Sequence, residues 1–191
     1  MSEEDDPPKS PRQRFYAAVW RLAHALDPAN DQGAIPSGDA SALRREDGAR
    51  SPTFYKIATL LLSSELEGLR GELLGEAERR WARVVHLLAR TGGLHRLGAP
   101  SVGTALANAG VAEARLLRLL RAEGDATDAA ARAAVAPLVQ RAMAFDPVDL
   151  AALVLSAPSA AWRFHIEDGD AVRRRVARDF YRAAASPDAN A

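Results

Sequence analysis

The sequence predicts an all-α protein, and three observations carry that reading. Apolar residues recur at spacings of three and four along most of the chain. Capping residues followed by proline, as in Ser10-Pro11, Ser51-Pro52 and Asp146-Pro147, open several of those runs. No stretch alternates apolar and polar residues as a half-buried strand would.

Taken in chain order, residues 1–11 form an acidic tail expected to be disordered, because Glu3, Glu4, Asp5 and Asp6 offer nothing to bury. Ser10-Pro11 caps a first helix, in which Phe15, Val19, Leu22 and Leu26 share one face. Asp27 to Arg50 reads as a long loop with a short helical piece around Ala42–Arg45, and loops of this length are often functional. Ser51-Pro52 opens a helix carrying Phe54, Tyr55, Ile57 and Leu60–Leu62. The next apolar series, Leu66, Leu69 and Leu73, continues through Trp81, Val84, Val85 and Leu88 to Gly92-Gly93; Gly71 and Gly75 predict a break within it.

Ser101 caps Val102–Ala109, Gly110 interrupts, and Val111–Ala122 resumes as a helix. Asp125 or Thr127 starts an alanine-rich helix with a kink expected at Pro137. Asp146-Pro147 and the first-turn acid Asp149 start another helix, and Asp168-Gly169-Asp170 introduces the last, through Ala184. A division near Gly98 into two helical halves, 12–98 and 99–185, with a flexible tail at 186–191, fits this pattern.

Bulk properties narrow the function classes. At 191 residues and 48% hydrophobic, the chain can bury a real core without staples. It has no cysteine, which excludes a disulfide framework, a thiolate nucleophile and a cysteine-based metal site, and suits a reducing cytoplasm. No apolar run approaches the ~20 residues that span a bilayer, and the acidic N-terminus has the wrong sign for a signal peptide, so a soluble, cytoplasmic protein with no membrane partner is expected. Net charge is zero, but without residues 1–11 there are 24 basic against 21 acidic residues. The body is weakly basic, so the placement of charge decides its meaning.

On a helical wheel Arg79, Arg83, His86 and Arg90 fall within about 60° of one another, away from Trp81, Val84, Val85 and Leu88. Arg115, Arg118 and Arg121 oppose Leu116, Leu117, Leu119 and Leu120, and Arg174, Arg175, Arg178 and Arg182 lie away from Val172, Val176 and Phe180. Such faces are ordinarily just solvated. Grouped without interleaved acids, arginines also suit a phosphate-lined groove, since each guanidinium grips phosphate with two parallel hydrogen bonds.

No catalytic set is legible. His165-Ile166-Glu167 has residue types for metal or base chemistry, but neighbours two apart on a helix point apart and no second histidine is close in sequence. Ser63, Ser64 and Ser101 lack a nucleophile-elbow context, and Gly98–Gly103 lacks the lysine of a phosphate-binding loop. Phe15, Tyr16, Trp20, Phe54, Tyr55 and Trp81 share faces with leucine and valine, and read as core rather than base-stacking platforms. No cofactor, metal or enzymatic activity is expected.

Residues 101–122, SVGTALANAGVAEARLLRLLRA, resemble the central signature of the CasB family, the small subunit of the type I-E CRISPR complex Cascade. Upstream, Gly38–Arg45 resembles that family's arginine-bearing loop, and Pro52-Thr-Phe-Tyr-Lys-Ile57 its Pro-x-Phe-Tyr segment, so the resemblance spans roughly residues 12–182. It implies two small helical bundles packed in one elongated subunit, and a head-to-tail pair with a second copy of itself. It further implies contacts with the backbone and large subunits, and basic surfaces facing guide RNA, the target strand and the displaced DNA strand.

Position by position, the matching residues are Arg44 or Arg45, Arg80 or its neighbour Arg79, Arg115, Arg121 and Arg132, with Arg173–Arg175 matching as a cluster. With the helix faces, the expected nucleic-acid set is Arg44, Arg45, Arg79, Arg80, Arg83, Arg115, Arg118, Arg121, Arg132, Arg174 and Arg175. Gly124 and Asp125 stand where members of the family can carry another basic residue, which implies a weaker grip there. Two other readings stay open: a helix-turn-helix regulator over 101–122, and a helical adaptor that binds only protein.

Overall fold

The computed structural model describes residues 10–29, 35–45, 51–156 and 168–186. The acidic stretch before Ser10, His165-Ile166-Glu167 and the tail beyond Ser186 lie outside the described residues.

Among these residues there are ten helices and no named strand. Helix α1 (Pro11–Ala25) begins with the expected cap: Ser10 Oγ accepts from the Gln13 amide, and the Ser10 amide donates to Gln13 Oε1, closing a capping box. Helix α2 (Ser37–Arg45) is longer than the sequence suggests and is anchored by buried Leu43. Helix α3 (Pro52–Leu61) is capped by Ser51, whose Oγ accepts from the Phe54 amide. A single turn, α4 (Ser63–Leu66), precedes the long α5 (Gly71–Arg90).

The break foreseen from two glycines occurs only before the first. Gly68 and Gly71 take φ of +79° and +55°, conformations that favour glycine, whereas Gly75 sits inside α5. An interior glycine costs about 1 kcal/mol. The completely buried face of Trp81, Val85 and Leu88 outweighs it.

Helix α6 (Val102–Asn108) and α7 (Glu113–Arg121) flank a turn at Gly110, φ +61°. Helix α8 (Ala126–Gln140) runs through Pro137 in its last turn, giving up the one bond that an amide there would donate to the Ala133 carbonyl. Helix α9 (Val148–Leu155) starts where Asp146 Oδ1 accepts from the Val148 amide. Apart from Asp149 all its residues are buried, as expected of a helix apolar on every side. Helix α10 (Gly169–Ala184) is capped by Asp168, which accepts from the Asp170 amide.

Helix α9 packs against α1, α5, α8 and α10, and one apolar core runs from Phe15 through Trp81 and Leu150 to Phe180. The turn near Gly98 is laced to the segment before α9: the Phe145 amide donates to the Leu94 carbonyl and the Asp146 amide to that of Pro100. Helices α6 and α10 cross most closely of all, because Gly103 presents no side chain. A Cβ there would lie 2.3 Å from the Val176 carbonyl oxygen.

His95 lies in the seam between these parts, its Nε2 2.7 Å from Thr91 Oγ1 and its ring edge-on to Phe145. Burial pushes its pKa down to about 4, against a smaller opposing pull from Asp27.

Candidate nucleic-acid interface

Helix α7 separates its two residue types cleanly. Leu116 and Leu119 are buried, while Arg115, Arg118 and Arg121 are exposed on the opposite side, and among the described residues none of the three has an acidic partner. The one acid of α7, Glu113, is engaged elsewhere: Tyr181 of α10 donates its hydroxyl to Glu113 Oε1 at 2.6 Å, which holds the phenol's pKa above its ordinary value. At the other end, Asp125 in the turn before α8 is ion-paired with Arg83 of α5. Arg83 therefore meets the α7–α8 turn four residues beyond Arg121.

The α5 stripe is interrupted. Arg79 and Arg90 are exposed, but His86 is buried under α2, with its Nδ1 2.6 Å from the Leu43 carbonyl oxygen. A wheel gives angle along one helix; it cannot show that a second helix lies across that angle. Arg80, 7% exposed, is an internal strut: its Nε and Nη2 donate to Glu76 Oε1, and its Nη1 donates to the Leu155 carbonyl at the end of α9, leaving no surface for a phosphate.

The remaining expected residues divide in the same way. Arg44 and Arg45 are exposed at the C-terminus of α2, Arg44 donating to Ser41 Oγ. Arg132 is ion-paired with Asp128, whose carboxylate is buried with one oxygen unpartnered. Arg175 grips Asp149 of α9 through Nε and Nη2, the shorter contact 2.6 Å, tying α10 to α9. Arg174 is exposed and only loosely paired, 3.8 Å from Asp168. Arg178 is exposed on the same helix.

Between α7 and α8 lies an open groove of roughly 530 Å³. Arg118 and Arg121 border it, and five alanines, 122, 126, 129, 130 and 133, make up the rest of its lining. Arg141 was not singled out by the sequence: its guanidinium packs over the α6–α7 turn, with Nη1 3.1 Å from where a Cβ on Gly110 would stand. That contact joins residues far apart in sequence, so no local pattern announces it.

The aromatic expectations hold for Phe15, Phe54 and Trp81, which are buried, and Tyr16 and Trp20 pack partly buried against the core; Tyr55 is 45% exposed. Ser101 caps α6 and donates to Asp179 Oδ2 at 2.7 Å. Among the described residues no three His, Asp or Glu side chains converge to hold a metal, and no helix is long and apolar enough to cross a membrane.

The family model for CRISPR-associated protein Cse2 (CRISPR_cse2) matches residues 39–181, about three quarters of the chain. Searches of curated proteins and of solved structures returned no match.

Proposed function

This chain belongs to the CRISPR-associated Cse2 (CasB) family, the small subunits of type I-E Cascade, and from that premise we propose that it braces nucleic-acid backbones without performing chemistry. In this reading it holds the guide RNA–target hybrid and the displaced strand once RNA pairing has opened the duplex, and it sits beside a second copy of itself and the backbone and large subunits.

The observation that supports this most is the acid-free face of α7, where, among the described residues, three arginines have no acidic partner above a helix held by its leucines. Nothing in α7's packing requires them. They are free to contact sugar-phosphate, which positions a strand without reading its sequence. Arg44, Arg45 and Arg79 extend the set on α2 and α5. Arg83 and Arg174 are paired with exposed acids, contacts worth about 0–1 kcal/mol and weak enough for a phosphate to displace the acid. Arg80, Arg132 and Arg175 serve the fold instead.

The zero net charge fits a contributor whose affinity comes from being held in an assembly, where effective concentration replaces intrinsic affinity. The regulator and adaptor readings gain nothing from the family match.

The test is Arg115→Ala/Arg121→Ala in the assembled complex. If each arginine neutralises one phosphate, the magnitude of the salt slope of target binding falls by about 1.4 to 1.8, at ~0.7 to 0.9 per phosphate for single and double strands. Binding weakens for all target sequences alike, and the melting temperature stays as in wild type. An assembled double variant with unchanged affinity and slope removes these residues from the interface.

A further inference from the structure

We propose that the groove between α7 and α8 seats a nucleotide of single-stranded DNA, with its sugar and base on the alanine floor and its phosphate on Arg118 and Arg121. The inference rests on the backbone-bracing reading above and deepens it: the strand is held by more than its charge.

The groove's volume, roughly 530 Å³, falls within the ~300–1,000 Å³ of small-molecule sites. Its lining is divided between two exposed arginines, without an acidic partner among the described residues, and the methyl groups of five alanines. The occupant therefore needs an anionic end and a flat apolar body, which a nucleotide joins in one unit. Glu123 and Asp125 lie in the adjoining turn, but Asp125 is occupied by Arg83, so the arginines keep the advantage.

A duplex does not fit this division, because its base faces are stacked inside and only base edges, sugar and phosphate reach the surface. Arginine can add to the grip by stacking on a base face. Deoxyribose is favoured over ribose: among the described residues the lining has no side-chain acceptor for a 2′-hydroxyl, and a hydroxyl covered without a partner is penalised.

The test uses the full chain with four labelled probes followed by fluorescence anisotropy at low salt: a short oligodeoxythymidylate, the same strand with abasic sites, oligouridylate of equal length, and a DNA duplex. Ala129→Leu and Ala126→Leu fill the groove from exposed positions, so neither disturbs the core. Wild type is expected to bind oligodeoxythymidylate tightest, with about a tenfold loss on removing the bases and about a tenfold loss in each filled variant, while duplex binding changes less than about twofold.

If the filled variants bind every probe as wild type does, while Arg118→Ala/Arg121→Ala weakens all four, the groove proposal fails and backbone bracing stands. If the arginine variant is also unchanged, the groove proposal fails, and backbone bracing stands or falls with Arg115→Ala/Arg121→Ala in the assembled complex. Filled variants that bind oligodeoxythymidylate normally but no longer enter the complex overturn the proposal in favour of a protein occupant. Absence of measurable wild-type binding to the single strands also overturns it.

Discussion

Replacing Gly103 by alanine is the sharpest test of the packing. The added Cβ would stand 2.3 Å from the Val176 carbonyl oxygen and 3.1 Å from both Asp179 Cβ and the Phe180 amide nitrogen. Against an ordinary contact of at least 3.4 Å, the first is an overlap of about 1 Å with backbone, which no rotamer change relieves. Helix α10 must back away from α6, loosening fully buried Val172 and Val176 and the 2.7 Å bond from Ser101 to Asp179.

Overpacking typically costs ~1–3 kcal/mol, and a backbone clash between the closest helix pair belongs near the top of that range. For a chain of this length, ~3 kcal/mol corresponds to a fall of about 6–12 °C in melting temperature. The assay is thermal unfolding by far-UV circular dichroism, with Gly38→Ala as its control. Gly38 is exposed within α2 and has nothing within 4 Å of its would-be Cβ, so alanine there should raise stability by about 0.5–1 kcal/mol. A Gly103→Ala protein melting with wild type would refute the close crossing of α6 and α10.

Two further outcomes follow from buried polar groups. Because His95 has its pKa lowered to about 4 in the fold, its contribution is complete above its unfolded value of 6.5 and is lost as pH falls from there towards 4. That loss amounts to about 3 kcal/mol, read as the difference in pH-dependent stability between wild type and His95→Gln. Taking the difference cancels the opposing effect of Asp146 and Glu65, whose carboxyls burial holds above their ordinary pKa. Parallel pH profiles would show that His95 is not the titrating group. Arg80→Met should lower stability by about 2–3 kcal/mol, measured by urea unfolding, since it removes the guanidinium that Glu76 and the Leu155 carbonyl share. The salt slope of complex binding should not move; a reduced slope would return Arg80 to the interface.

The helices and their starts were legible because caps and periodicity are local: Ser10, Ser51, Ser101 and Asp168 accept the hydrogen bonds their positions foretold. The α7 face was equally legible, for the same reason. Arg80 and His86 were not, since whether a polar side chain on a helix meets water or a neighbour depends on what crosses it, and here α9 and α2 do. Arg132 and Arg175 illustrate the same limit through Asp128 and Asp149. Asp125, read from the sequence as a weakness beside Arg121, is ion-paired with Arg83, a contact 42 residues apart that no local pattern announces. The alanine-floored groove needed two helices to be placed side by side before it existed at all.

Helix α7 is only nine residues long and cannot hold its own direction in water. Yet it is pinned at one end to α10 by Tyr181 and Glu113, and at the other to α5 by Asp125 and Arg83. Neither pin adds much stability at so exposed a surface. Mechanically they make α7 a beam with two supports: on the proposed function, tension from a strand held on its arginines would pass into α5 and α10 together rather than peel one end of a short helix away. Two acids beside those arginines, Glu113 and Asp125, are the fasteners, so the same contacts that stiffen the beam also neutralise negative charge next to the arginine face.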